Sequence, residues 1–248
     1  MQAFLRDYDL SELWQGDVQH RPSPALEGFF GPDHYRLTMV ITEAHRDARS
    51  PATYLVRGKC RYRKNIRVFT GTLTIRQLAN AEPYYSPQDN SFDLPASTDT
   101  GAAGAQAWQN RYEAKLSQTA FYTLRAQVQL VEALTENSGV FEGEANLNFY
   151  VLPSRKVGFA GAPALTEADP TRGTSLLLRG ARRNVTTHQV KQFVVADDVF
   201  AAAPDVYKDF GVGERGQNIN PKYKKLGWDT YWQNDEWWAD APKPKALL

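Results

Sequence analysis

The chain is predicted to be all-β: an antiparallel meander forming a barrel or a strongly curved sandwich, with short helical and aromatic elements at its C-terminus. Three observations predict this. First, side-chain character alternates with period two over long stretches. In the clearest one, Arg57, Lys59, Arg61 and Arg63 leave one strand face, and Tyr54, Val56, Gly58, Cys60 and Tyr62 leave the other. Second, turn-forming residues separate these stretches at short intervals, so consecutive strands pair as neighbours. Third, glycines recur inside the strands, at Gly58, Gly71, Gly143 and Gly180, and this favours coiling and closure over a flat sheet.

The elements follow in chain order. Residues 1–34 read as an irregular entry segment, broken by Pro22, Pro24, Gly28, Gly31 and Pro32. The main domain spans 35–196. Tyr35, Leu37, Met39 and Ile41 alternate with polar residues and predict its first strand. A charged loop, Ala44 to Ala52, contains Pro51 and leads to a strand over 53–63. Lys64-Asn65 suits a tight turn, because Asn tolerates positive φ. The next strand runs from Ile66 to about Leu78. Residues 79–116 are rich in proline, glycine and small polar residues. They predict a long mobile loop ending in a short helix or strand from Trp108 to Leu116. Tyr122 to Leu130 and Phe141 to Val151 form a hairpin about Asn137-Ser138-Gly139. Further strands are expected near 156–160, 174–184 and 189–196. The segment 197–248 is expected to pack on the barrel, with Pro204 opening a short helix. It holds Trp228, Trp232, Trp237 and Trp238, four of the six tryptophans.

Composition excludes several classes. The 248 residues are 42% hydrophobic and 23% charged, enough for a real core without staples. The net charge of +1 implies no bulk electrostatic partner, so no nucleic-acid partner is expected. No apolar run is long enough to span a bilayer, so no membrane partner is expected either. The start of the chain is too polar for a signal peptide. Cys60 is the sole cysteine, which forbids an internal disulfide and suits a reducing cytosol, although a bacterial secreted protein can also lack disulfides. The four histidines, His20, His34, His45 and His188, have no ligand spacing, and no metal or cofactor is expected.

The strongest local signal is charge. Between Ala48 and Ala81 there are eight basic residues and no acidic one. Either neighbouring carboxylates such as Glu142 and Glu144 compensate this stripe across strands, or it binds an anion. A second acid-free stretch, Pro170 to Ala196, would sit beside the first if the meander closes. Cys60 reads as a buried small hydrophobe, remote from the arginines across the strand.

In outline the predicted barrel resembles the calycins, the lipocalin and avidin-like group. The resemblance is architectural: a lipocalin carries Gly-x-Trp near its first strand, whereas Trp14-Gln-Gly16 has the reverse order, so no functional residue is carried over. Taken with the charge and aromatic layout, the leading expectation is a non-enzymatic binding protein for a small or extended ligand, anionic or carbohydrate-like, held in a barrel cleft. Arg57, Arg61 and Arg63 are the expected polar contacts, and Trp228, Trp232 and Trp237 the aromatic ones. One alternative is a hydrolase or isomerase on the same barrel, using Glu142, Glu144 or His188 with an arginine. The other is an assembly module that docks through the tryptophan-rich tail.

Overall fold

The computed structural model describes residues 1–16, 23–81, 101–160, 174–211, 218–231 and 236–239. Nine strands form one antiparallel sheet: β1 Leu26–Phe30, β2 Tyr35–Asp47, β3 Ser50–Tyr62, β4 Asn65–Asn80, β5 Ala120–Glu132, β6 Gly139–Val151, β7 Val157–Phe159, β8 Leu176–Asn184 and β9 Val190–Ala196. From β1 to β6 each strand pairs with the next. β6 then pairs with β8, β8 with β9, and β9 returns to β1, so the meander closes into a ring. The short β7 continues the wall beside the C-terminal end of β6, where Phe159 and Val157 face Phe149 and Val151.

Alternation decides which side of each strand is inside. Tyr54, Val56 and Cys60 are buried inward on β3, while Arg57 is exposed on the outer face. The same phase places Phe69 and Leu73 of β4, Leu124 and Leu130 of β5, and Phe141 and Leu147 of β6 in one core. Coiling of the sheet demands close approach at several strand glycines, as two sites illustrate. A Cβ on Gly58 would lie 2.5 Å from the Phe69 ring and 2.2 Å from the Val40 carbonyl oxygen. Gly143 and Gly180 are paired, and a Cβ on either would reach about the other's backbone, at 2.7 Å from its Cα.

One end of the barrel is plugged by the N-terminus. Helices α1 (Gln2–Asp7) and α2 (Ser11–Gln15) insert Leu5, Leu10, Leu13 and Trp14, all at most 1% exposed. The Leu10 N–H donates to the Tyr54 hydroxyl at 3.1 Å. Arg46 donates to the carbonyls of Leu5, Arg6 and Tyr8, where a cation is favoured at the end of α1. The expectation of an irregular segment over 1–34 therefore gives way to two helices and β1. Its helices are too short to show a full apolar period, and Gly28, which reads as a breaker, is where β1 meets the Val194 carbonyl of β9.

Two further expectations change. The Ala44 to Ala52 region is mostly strand: β2 runs to Asp47, and Pro51 is the second residue of β3, an end position where a missing N–H is tolerated. Helix α3 (Ala102–Ser117) is longer than the expected element at 108–116, and residues 82–100 lie outside the described set. On α3, Trp108 stacks on Tyr112 at 5.2 Å, and Tyr112 packs with Phe121 and Tyr150 against the outer wall.

The described part of the C-terminal segment packs on the outer wall of the barrel. Helix α4 (Pro204–Phe210) opens at Pro204, as its sequence predicts. A helical stretch, Pro221–Tyr223, runs into a wider turn that ends at Trp228. Val206, Phe210, Ile219, Tyr223 and Trp228 pack with Phe29 of β1 in a second core. Beneath it a buried ion pair joins Arg36 to Glu27 at 2.7 Å, with the guanidinium 5.7 Å from the ring centres of both Trp228 and Tyr231.

Candidate functional site

The end opposite the helical plug is formed by four connections: β1–β2, β3–β4, β5–β6 and β8–β9. Here the inward alternation changes chemistry on three strands. β4 enters with Arg67 ahead of Phe69, β5 leaves with Glu132 after Leu130, and β8 leaves with Arg182 after Leu178 and Gly180. The strand pairings bring these charged side chains together at the floor of the mouth, next to Cys60.

Glu132 is the centre of the cluster, with its side chain 2% exposed. Arg182 grips it through two bonds, Nε to Oε1 at 3.1 Å and Nη2 to Oε2 at 2.6 Å. Arg67 adds a longer contact at 3.4 Å, the Gly139 N–H donates at 2.7 Å, and the Cys60 thiol lies 3.6 Å from Oε1. A buried carboxylate needs this many donors to offset its lost hydration. The arginines also hold the β5–β6 connection: Arg182 bonds the Asn137 carbonyl at 2.6 Å, and Arg67 bonds Thr135 Oγ1 and the Glu136 carbonyl. Burial, reinforced by the Glu132 charge, pushes the Cys60 thiol well above its ordinary range, so it is a protonated and inert thiol.

Above this floor lies a cavity of about 280 Å³. Phe30, Leu37, Tyr62 and Phe141 line its apolar side, and Asn65, Gln189 and Lys191 stand at its rim. Lys191 Nζ lies 5.6 Å from the Phe30 ring centre and, among the described residues, has no carboxylate partner. Tyr62 packs edge-on to Phe30 at 4.8 Å, and burial raises its hydroxyl pKa against the opposing charge of Arg63. The lining thus carries three cations, Arg67, Arg182 and Lys191, against the single carboxylate Glu132.

The residues singled out from the sequence lie elsewhere, with one partial exception. Arg57 is on the outer wall, 3.6 Å from Glu43 of β2. Arg61 is also outside, 5.0 Å from the ring centre of Trp237, and Lys59 bonds the Trp238 carbonyl at 2.7 Å. Arg61 and Trp237 are therefore brought together, but on each other and away from the mouth. Arg63 leaves the stripe altogether. Tyr62 pairs with Asn65, so the turn is Arg63-Lys64 rather than Lys64-Asn65, and Arg63 takes φ 57°. Its guanidinium lies over Tyr35 and Tyr62 at 4.6 and 5.4 Å, beside the mouth. Trp228 is fully buried, its ring surrounded by Phe29, Phe210 and Tyr231 and its N–H on the His34 carbonyl at 3.0 Å, which leaves no surface for a ligand. Trp232 lies outside the described residues.

The candidates for the catalytic alternative do not converge. Glu142 and Glu144 are on the outer face of β6, Glu144 being 3.6 Å from Arg179 of β8, and His188 is in the β8–β9 connection. Compensation across strands is real, but its partners differ from those expected. β3 pairs with β2 and β4, so Glu43 and not the β6 carboxylates meets Arg57, and β1 and β2 separate the second acid-free stretch from the first. Glu132, Arg182 and Lys191 were missed. The available signal was a charge standing in the inward phase of an otherwise apolar strand.

Comparison of the chain with protein-family models, with curated proteins and with solved structures finds no match in any of the three.

Proposed function

We propose that the protein is a binding protein whose barrel mouth takes a small amphipathic anion: a carboxylate or phosphate head on a compact apolar body. The supporting observation is the cavity lining, in which an apolar floor meets an excess of cationic side chains. Glu132 and its two arginines act as a rigid frame, because their bonds are already made. Lys191, Asn65 and Gln189 are the groups that meet the anionic head, and Phe30, Tyr62 and Phe141 receive the body. The cavity, at about 280 Å³, lies just below the ~300–1,000 Å³ usual for ligand pockets, which suits a compact ligand. A ring plugged at one end and open at the other is also what a calycin-like reading expects.

Binding is favoured over catalysis by the state of the mouth carboxylate. Glu132 is buried, saturated with donors and turned toward its own arginines, so it has no lone pair left to accept a substrate proton. The proposal is tested by isothermal titration with octanoate and 3-phenylpropionate, against octanol, phenylpropanol and glucose as neutral controls. Saturable heat is expected with the anions alone. It should weaken about 10- to 150-fold in Lys191→Ala and be restored in Lys191→Arg, since one charge-assisted hydrogen bond is worth ~1.5–3 kcal/mol. Binding of glucose, or equal binding of acid and alcohol, overturns it.

A further inference from the structure

The rim of the mouth has a second property, independent of the cavity. Seven large hydrophobic side chains are strongly exposed among the described residues: Met1, Leu55, Ile66, Val131, Leu134, Val185 and Val190. The last five all stand at the mouth end, on β4, β5, the β5–β6 connection, the β8–β9 connection and the start of β9. Leu134 is 87% exposed at the tip of its connection. Backbone bonds tie these connections into one rim. The Ala133 N–H reaches the Val68 carbonyl at 2.9 Å, the Val185 N–H the Ser138 carbonyl at 3.0 Å, and the Gly31 N–H the Gln192 carbonyl at 2.8 Å.

Charge is concentrated at the same end. Residues 31–35, 62–67, 131–139 and 182–191 contain six basic side chains and three carboxylates, while the whole chain carries only +1. One of those carboxylates, Glu132, is buried beneath the rim, and Arg63, Lys64, Arg183 and Lys191 are exposed. The rim therefore mixes exposed aliphatic groups with an excess of cations, on a ring whose opposite end is closed by the N-terminal helices.

We propose that this rim docks peripherally on the surface of an anionic lipid bilayer, with Ile66, Leu134, Val185 and Val190 entering the headgroup layer and the basic residues meeting lipid phosphates. Each part of the pattern matches one term of interfacial binding: aliphatic burial, and attraction of roughly 1 kcal/mol per basic residue near an anionic surface. A nucleic acid would use the charges but not the aliphatics, because strand recognition relies on aromatic platforms and these side chains offer none. A missing apolar span, on which the expectation of no membrane partner rests, is silent about peripheral docking.

The test is co-sedimentation of the full chain with phosphatidylcholine vesicles, with and without phosphatidylglycerol, and with no small ligand added. Failure here leaves the cavity reading standing, and failure of the titrations leaves this one standing. Binding is expected only to the anionic vesicles and should fall as salt is raised. Lys64→Glu with Arg183→Glu should weaken it at least about 25-fold, at roughly fivefold per charge. Leu134→Ser, at a site too exposed to disturb folding, should weaken it about tenfold. Leu55→Ser, on the wall away from the rim, should change nothing. Equal binding to both vesicle types, no binding to either, an equal loss in Leu55→Ser, or retention on double-stranded DNA in place of vesicles overturns the proposal.

Discussion

Replacing Glu132 with leucine tests how the mouth is held together. The change keeps similar bulk but leaves Arg182, 14% exposed, beside an apolar group, and strands the Gly139 N–H that now bonds Oε2 at 2.7 Å. Breaking one side of a buried ion pair costs about 3–5 kcal/mol, because the remaining charge stays desolvated. For a chain of this length that corresponds to a fall in Tm of roughly 6–20 °C, at about 2–4 °C per kcal/mol. Arg67 is 22% exposed and can turn toward water, so Arg182 should carry most of the penalty. Adding Arg182→Met to Glu132→Leu removes the stranded charge and should restore most of the loss, giving a coupling energy of about 3 kcal/mol in a double-mutant cycle. The assay is urea denaturation of the four proteins, with amide exchange at Gly139 as a local readout that should lose protection in the single variant. A cost below about 1 kcal/mol for Glu132→Leu, or strictly additive effects, would refute the reasoning that this cluster is a coupled buried unit.

Two further outcomes follow from packing and burial. Gly58→Ala forces a Cβ against the Phe69 ring and the Val40 carbonyl and should cost about 1–3 kcal/mol or more. Gly211→Ala, where a Cβ meets nothing within 4 Å, should leave Tm unchanged, and equal effects would sink the close-approach account. The hydroxyls of Tyr54 and Tyr231 are pushed up to about 12, chiefly by burial. An unfolded tyrosine ionises near pH 10, so between about 10 and 12 the unfolded state binds fewer protons than the folded one. The stability these groups carry is therefore complete below about pH 10 and is lost as pH rises toward 12, by up to about 2–3 kcal/mol each. Absorbance titration of the native protein should show late-ionising tyrosines, and Tyr54→Phe and Tyr231→Phe should each remove one of those that ionise near pH 12.

Much of the wall was legible in the sequence because a two-residue period is local information. Tyr54, Val56 and Cys60 point inward and Arg57, Lys59 and Arg61 outward, as the alternation requires. The turn at Asn137 was legible from residue type, and Asn137 has φ 68°. The site was less legible, because which strands become neighbours is not local. Nothing near Arg57 indicates that Glu43 is its partner, and nothing near Trp228 indicates that Arg36, far away in the chain, lies against its ring. The cationic stripe drew attention as the most charged feature, but charge on an outward phase is where hydration is cheap. A charge on the inward phase is the rarer and more informative event, and Glu132 after Leu124, Ala126, Val128 and Leu130 is such a case.

The two ends of the barrel carry opposite chemistry, and under the proposed binding role the difference bears on where selectivity would reside. At the plugged end, Leu5, Leu10, Leu13 and Trp14 fill the lumen with apolar groups, and the directional contacts run to backbone groups of the plug, from the Leu10 N–H to Tyr54 and from Arg46 to the carbonyls of Leu5, Arg6 and Tyr8. At the mouth, the floor is a charged cluster whose bonds also fix the β5–β6 connection through Asn137, Thr135 and Glu136. A ligand entering the mouth cannot recruit Glu132 without breaking bonds that hold this connection. By contrast, the side-chain amides of Asn65 and Gln189 make no hydrogen bond among the described residues, and Lys191 is held only by its approach to Phe30. Substitutions in the first group should therefore change stability and ligand affinity together. On the proposed binding role, substitutions in the second should change affinity at constant Tm, so Asn65, Gln189 and Lys191 are the positions predicted to set ligand preference.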